Sequence, residues 1–440
     1  MAGAPDHRRT NGRKVPFLGK RAQIVFKRRI VARIFRVFVA SALHRPKSAA
    51  KRALRWCRGC SSDGRALQSH CRGQGFDSPQ LHQPFLSPLL ARAPSLPNRG
   101  SVNPLRYLLA PWWAIELATD AKSFRDNPLI GSRRLNAWGL HQKRVLLADR
   151  LAAWRRRRME HLVSPEHREQ FDRDGFVQVP DFLPPESFAA LRSQVMEYPG
   201  AAREMVQGDT ITRRIALDPP TLRSLPAARM LLRNPLWQGL IRYVGSYDTE
   251  PLVYIQSILT HRYDAPPDPQ TKLHADTFHP TVKAWLFLTD VAPDEGPLTY
   301  VAGSHRRDAA RLAWEKKRSL EARDGRDFLS ARGSLRIEEG ELAQLGLPKP
   351  TAFAVKANSL VVCDTSGFHA RGPAVRPSTR VEIWAYGRRN PFLPWTGFDL
   401  TGWPGLAERR VPLHWAFRDR FRRWVGQPWA DVGRKRPADG

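Results

Sequence analysis

The chain has 440 residues, 42% hydrophobic and 10% aromatic, which is enough apolar material for at least one sizeable core and excludes a wholly disordered chain. Its apolar runs are short. Residues 37–43 hold a serine and are flanked by arginines, whereas a membrane-crossing helix needs about 20 mostly apolar residues, so an integral membrane protein is excluded too. The formal charge of +31, from 72 Lys and Arg against 41 Asp and Glu, ordinarily points to nucleic acid or an anionic surface.

That charge is unevenly placed. Residues 1–100 carry +18, residues 101–160 carry +7 and residues 161–440 only +6. The first hundred residues contain no Glu and show little periodicity, and they read as a basic, low-order extension. Within them, residues 24–39 have the spacing of a basic amphipathic helix, suited to an anionic membrane or a transit sequence. Cys57, Cys60, His70 and Cys71 invite a zinc reading, but no second tight cysteine pair completes it. A different cue lies in the run RGCSSDGRALQSHCRGQGFDSPQLH at residues 58–82, which resembles the conceptual translation of a transfer-RNA gene. It implies a start further along and a first hundred residues that are never made. The excess charge is then no sign of a nucleic-acid partner.

Residues 101–160 form a helical segment: two or three helices are expected over 104–158, ending in Arg155 to Arg158, four arginines read as a solvated helix end. Ser164, Pro165 and Glu166 give the next start signal, a hydroxyl cap followed by proline and an acid in the first turn, with Gly175 as the stop. Residues 176–179 alternate as a strand, and a second helix begins at Pro184 or Pro185. Beyond 250, strands are expected at 252–259, 283–288, 298–301, 352–355, 360–363 and 381–386, punctuated by turn residues. A charged stretch of helical composition, about 306–345, interrupts them, and 396–440 reads as a tail with a short helix. Helices first and many short strands later give an α+β chain with a sandwich or barrel in its C-terminal part.

His274 and Asp276 stand two residues apart, so in an extended segment both side chains point the same way and can bind one metal. His369 follows the apolar strand at 360–363, and Arg380 lies eleven residues beyond it. Two imidazoles and one carboxylate leave three positions on iron open for a bidentate cosubstrate and dioxygen. A planar, permanently charged guanidinium suits the distal carboxylate of such a cosubstrate. Together these describe a 2-oxoglutarate-dependent oxygenase, a reading that competes with a surface His–Asp pair and a satisfied core histidine. His279 and His305 are near the motif but are not expected to be ligands. Cys363, on an apolar strand, reads as an inert filler.

Three segments carry a resemblance. They are FDRDGFVQVPDFLPPESFAALRSQV, then YIQSILTHRYDAPPDPQTKLHADTFHPTVKAWLFLTDVAPDEGPLTYVAGSH, then LVVCDTSGFHARGPAVRPSTRVEIWAYGRRN. Over residues from about 160 to 390 (within an oxygenase domain bounded at 161–395) the chain resembles the phytanoyl-CoA dioxygenase family of Fe(II)/2-oxoglutarate oxygenases. The resemblance implies a double-stranded β-helix (jelly-roll or cupin-like) core with flanking helices. It implies Fe(II) held by His274, Asp276 and His369, 2-oxoglutarate held by Arg380, and dioxygen as second cosubstrate. Gln256 and Trp285 fall where relatives line the site, though both, like Thr299, are also readable as core. Arg371 is a departure, since many relatives have serine there, and it either adds a carboxylate contact or points outward. The implied reaction hydroxylates an unactivated C–H bond of a small molecule or acyl-type substrate. Retention of Asp276 argues against halogenation. The alternative is a catalytically silent jelly roll that binds a small ligand. Few cysteines and no secretory signal lead us to expect a cytoplasmic protein.

Overall fold

A computed structural model describes residues 109–399, 402 and 406–440, all within one compact unit. The amphipathic helix at 24–39, the cluster of Cys57, Cys60, His70 and Cys71, the run at 58–82 and the extension at 1–100 lie outside the described residues. Three helices occupy the segment expected to be helical: α1 (Ala110–Glu116), α2 (Arg133–Ala137) and α3 (Leu140–Arg157). Next, α4 (Pro165–Asp174) begins where the Ser164 hydroxyl accepts the His167 N–H and ends at Gly175 in the left-handed region, with φ 84°. A Cβ at Gly175 would meet the His305 ring and come within 2.6 Å of the Tyr300 hydroxyl. Gly175→Ala is therefore expected to cost about 1–3 kcal/mol of stability, read as a lowered urea midpoint. The chain continues through α5 (Pro185–Glu197), α6 (Pro219–Ser224), α7 (Pro226–Leu232) and α8 (Pro235–Gly245). The charged stretch after 306 folds into α9 (Ala309–Glu321), α10 (Phe328–Ala331) and α11 (Glu339–Gln344), and α12 (Arg410–Arg420) and α13 (Arg422–Val425) follow the last strands of the barrel.

The strands are β1 (Phe176–Val179), β2 (Gly200–Gln207), β3 (Thr210–Ala216), β4 (Leu252–Leu259), β5 (Val282–Phe287), β6 (Leu298–Tyr300), β7 (Thr351–Ala352), β8 (Leu360–Asp364), β9 (His369–Arg371), β10 (Thr379–Gly387) and β11 (Ala430–Lys435). Eight of them form an antiparallel sheet in the order β1-β8-β5-β10-β4-β3-β2-β11, and the other three a small sheet in the order β7-β6-β9. Alternation along the large sheet sorts its side chains into two cores. Ile255, Leu286, Val362, Val381 and Ile383 pack with Trp237, Leu240 and Val244 of α8. The opposite face sends Tyr254, Trp285, Phe287, Val361 and Trp384 toward Leu298 and Tyr300 of the small sheet. Burying each such aliphatic side chain stabilises by about 1.5–3 kcal/mol, and a one-residue slip would exchange the two faces, so the register of β4, β5, β8 and β10 is firmly set. The result is the expected double-stranded β-helix: two antiparallel sheets face to face, with helices outside.

Three features depart from the sequence expectations. Arg155 is not a solvated helix end. It is fully buried, donates to the carbonyls of Ser246 at 2.9 Å and Leu393 at 2.8 Å, and stacks 4.0 Å from the Tyr247 ring centroid. Arg156 donates to the Val244 carbonyl at 2.7 Å and to Asp364 at 3.2 Å. These two arginines bolt α3 to the barrel, and only Arg157 and Arg158 face solvent. Second, the strand expected at 352–355 shortens to two residues, after which Val355 bridges Val291. Third, β2, β3 and β11 extend the large sheet beyond β4, so the C-terminal segment supplies an edge strand as well as helices. Among the described residues no helix is long and apolar enough to cross a membrane.

Candidate metal and cosubstrate site

The segment between β4 and β5 carries His274 and Asp276, and β9 opens with His369. A mutual pair of backbone hydrogen bonds, His274 N–H to His369 O at 3.0 Å and His369 N–H to His274 O at 2.9 Å, sets the two imidazoles 4.5 Å apart between centroids. Each ring is oriented from behind. Nδ1 of His274 donates to the Lys272 carbonyl at 2.8 Å, and Nδ1 of His369 donates to the Gly367 carbonyl at 3.0 Å. A carbonyl can only accept, so the proton sits on Nδ1 and the lone pair of each Nε2 faces forward. Both Nε2 atoms lie 3.7 Å from Asp276 Oδ1. The three donor atoms fall within 4.8 Å of one another, and His369 Nε2 is buried with no hydrogen-bond partner. This donor set of two imidazole nitrogens and one carboxylate oxygen fits a divalent transition metal with open positions.

The electrostatics favour the ligating forms. Burial, with Arg336 adding to it, pushes the His274 imidazole well below its usual range. Burial likewise lowers His369 to about 4 against the opposing pull of Asp276. Burial alone would raise the Asp276 carboxyl, but Lys283 and the two histidines outweigh it and hold it well below the usual carboxylate range. Two neutral rings and one carboxylate are thus present at neutral pH.

Lys283, on the inner face of β5, places Nζ 2.6 Å from Asp276 Oδ2. The ion pair occupies one carboxylate oxygen and leaves Oδ1 turned to the imidazoles. It also sets a cation beside the place of a metal. Lys283→Met removes the repulsion of that cation but also the contact that turns the carboxylate, so divalent-metal affinity is expected to move by less than about tenfold, read by anaerobic calorimetry.

The histidines border a cavity of about 110 Å³, shared with Gln256, Trp285, Arg371 and Arg380. Arg380 donates through Nη1 to the Gly296 carbonyl at 2.7 Å and pairs through Nε with Glu382 Oε2 at 2.9 Å. Glu382, fully buried, accepts from Gln256 Nε2 at 2.6 Å, and Gln256 Oε1 accepts from Arg214 Nε at 2.8 Å. Direct cross-strand register builds this chain, since Arg214, Gln256 and Glu382 stand opposite one another on β3, β4 and β10. Trp285 faces the same space beside its cross-strand partner Trp384.

His274, Asp276, His369, Arg380, Gln256 and Trp285 are therefore brought to one place. Arg371 borders the cavity and is tied through Nη1 to Asp268 at 2.5 Å, so it does not point outward. Thr299 spends its hydroxyl on the Ala370 carbonyl at 3.2 Å. His279 lies off the triad, bonded to the Pro280 carbonyl at 3.0 Å, and His305 packs on the Phe171 ring. Cys363 is fully buried, and burial pushes its thiol well up. Sequence reasoning passed over Lys283, Glu382 and Arg214. The signal for the first two was present: each shares a face, two residues away, with Trp285 or Arg380, in strands otherwise apolar.

No curated protein matches the chain. Among solved structures, it is similar to the α-ketoglutarate-dependent epimerase SnoN from nogalamycin biosynthesis, at 18% identity and a TM-score of 0.34 over 53% of this chain and 90% of that one. It is also similar to HygX from Streptomyces hygroscopicus with nickel, 2-oxoglutarate and hygromycin B bound, at 16% identity and a TM-score of 0.32 over 51% and 87%. EctD from S. alaskensis with bound Fe gives 18% identity and a TM-score of 0.31 over 51% and 77%. These likenesses are too weak to bear on individual residues. Residues 171–336 match the family model for phytanoyl-CoA dioxygenase (PhyH). That span holds Gln256, His274, Asp276 and Trp285, while His369 and Arg380 lie beyond it. The chain thus carries, over residues 171–336, a domain of the phytanoyl-CoA dioxygenase family of iron- and 2-oxoglutarate-dependent oxygenases.

Proposed function

We propose that His274, Asp276 and His369 hold one Fe(II), that Arg380 receives the distal carboxylate of 2-oxoglutarate, and that the enzyme hydroxylates an unactivated C–H bond of a small molecule. The observation that carries this reading is the convergence of three donor atoms within 4.8 Å, one a buried and partnerless Nε2, beside the cavity that Arg380 borders. When bound, iron with 2-oxoglutarate and dioxygen supplies the oxidising power, with succinate and carbon dioxide as coproducts. The chain's own work is orientation and exclusion of water. Backbone carbonyls aim the imidazoles, Lys283 turns the Asp276 carboxylate, and Glu382 with the Gly296 carbonyl fixes the plane of the Arg380 fork. Trp285, Leu298 and Trp384 supply apolar wall, where a dry cavity strengthens the polar contacts. Gln256 acts by holding Glu382 and Arg214 in place. The reading calls for a small-molecule substrate, no nucleic-acid partner and, given how few cysteines there are, a cytoplasmic location.

The test is succinate formation from 2-oxoglutarate by iron-loaded protein in air. Slow turnover is expected without added substrate, and none in His369→Ala. Failure of the folded, iron-loaded wild type to form succinate would instead favour a silent ligand-binding jelly roll.

A further inference from the structure

Four basic side chains border the cavity: Arg214, Lys283, Arg371 and Arg380. Three have a carboxylate partner, namely Asp276 for Lys283, Asp268 for Arg371 and Glu382 for Arg380. Arg214 has none among the described residues. Its Nε is held by the neutral Gln256 amide, while Nη1 is buried without a hydrogen-bond partner. The guanidinium is stacked against Trp384 at 4.0 Å and Trp429 at 4.5 Å from the ring centroids. Burial draws its pKa down to about 10, so it remains charged at neutral pH.

Two more partnerless polar atoms lie on the same wall. Gln207 Nε2 and Thr212 Oγ1 are both buried, belong to residues that border the cavity, and have no hydrogen-bond partner. Thr212 and Arg214 share a face of β3, and Gln207 sits diagonally across on β2, whose Met205 faces Thr212 directly. Buried donors left unpaired cost free energy, more so when one is a cation. Three of them on one cavity wall describe a site built for an acceptor. The charge balance indicates which acceptor. A divalent iron and a dianionic cosubstrate cancel, so the loaded cavity keeps the one uncompensated positive charge of Arg214.

We propose that the substrate carries a carboxylate, and that Arg214, with Gln207 and Thr212 beside it on the β2–β3 wall, receives it. This rests on the oxygenase reading, in which Arg380 serves 2-oxoglutarate. A monoanion matches one guanidinium flanked by a neutral amide and a hydroxyl, whereas a phosphate dianion would leave the site overcharged.

The test uses full-length protein loaded anaerobically with Fe(II) and saturating 2-oxoglutarate, titrated calorimetrically with propionate, propionamide and inorganic phosphate. Propionate is expected to bind at least tenfold more tightly than either of the others. Arg214→Gln is expected to weaken propionate by tenfold or more, and 2-oxoglutarate by far less than Arg380→Ala does, since Arg214 reaches Arg380 only through Gln256 and Glu382. The double variant Gln207→Leu/Thr212→Val, which keeps Arg214 and its stacking, should weaken propionate several-fold and leave 2-oxoglutarate unchanged. The proposal is overturned if wild type does not prefer propionate, if phosphate binds better, or if Arg214→Gln costs 2-oxoglutarate as much affinity as Arg380→Ala does. Failure of wild type to bind 2-oxoglutarate at all would sink the oxygenase reading, a separate outcome.

Discussion

Asp276→Ala is expected to abolish useful iron binding, lowering Fe(II) affinity by more than the roughly 10- to 100-fold that loss of an outer partner costs at metal sites. The residue supplies the sole anionic donor of the triad, and its Oδ1 is the atom that both Nε2 lone pairs approach at 3.7 Å. Its loss removes the negative charge and also releases Lys283, whose Nζ lies 2.6 Å from Oδ2, so that an uncompensated ammonium would then repel the metal. Asp276→Asn separates the two effects, because it keeps shape and hydrogen-bonding capacity without charge. It should fall between wild type and alanine. The double variant Asp276→Ala/Lys283→Met should recover part of the loss. Anaerobic calorimetry with Fe(II), backed by thermal melts showing that each variant is folded, checks the series.

The second large effect belongs to Arg380. Arg380→Ala is expected to weaken 2-oxoglutarate binding to the iron-loaded protein by about 100-fold, the scale of a lost bidentate, charge-assisted contact. Lysine should restore little, since a point charge cannot reproduce the planar fork. Glu382 complicates this substitution in a useful way. It is fully buried and pairs with Arg380 at 2.9 Å, so alanine at 380 strands a carboxylate in the place meant for the cosubstrate. Arg380→Ala/Glu382→Gln should therefore be more stable than Arg380→Ala and bind 2-oxoglutarate somewhat better. A merely structural arginine would show the stability change without the shift in 2-oxoglutarate affinity.

Much of this arrangement was legible in the residues alone, for an identifiable reason. The segments 176–179 and 252–259 coincide with β1 and β4 because apolar alternation there serves two cores at once. The two-residue spacing of His274 and Asp276 placed both side chains on one side, and the interval from His369 to Arg380 led to one cavity that β9 of the small sheet and β10 of the large sheet both border. What stayed hidden was charge in the interior. β3 reads Thr210–Ala216 with Arg213 and Arg214 at its centre, a pattern that suggests solvent, yet both are buried. Arg213 is matched by Glu204 at 2.7 Å, and Arg214 by the Gln256 amide and two tryptophan rings. Arg371 and Asp268 stand 103 residues apart, and Arg155 finds its carbonyl acceptors 91 and 238 residues away. Buried polar pairing at such separations has no local periodicity, so a window along the chain cannot reveal it. β11 is the edge case: its residues are mostly exposed, and its strand exists through pairing with β2.

The measurement that bears most directly on the central claim is the anaerobic visible spectrum of the protein with Fe(II) and 2-oxoglutarate. The account predicts a metal-to-cosubstrate charge-transfer band in wild type, its loss in His274→Ala, and its appearance in Arg380→Ala only at much higher 2-oxoglutarate. A folded, iron-loaded wild type with no such band at any 2-oxoglutarate concentration would contradict it.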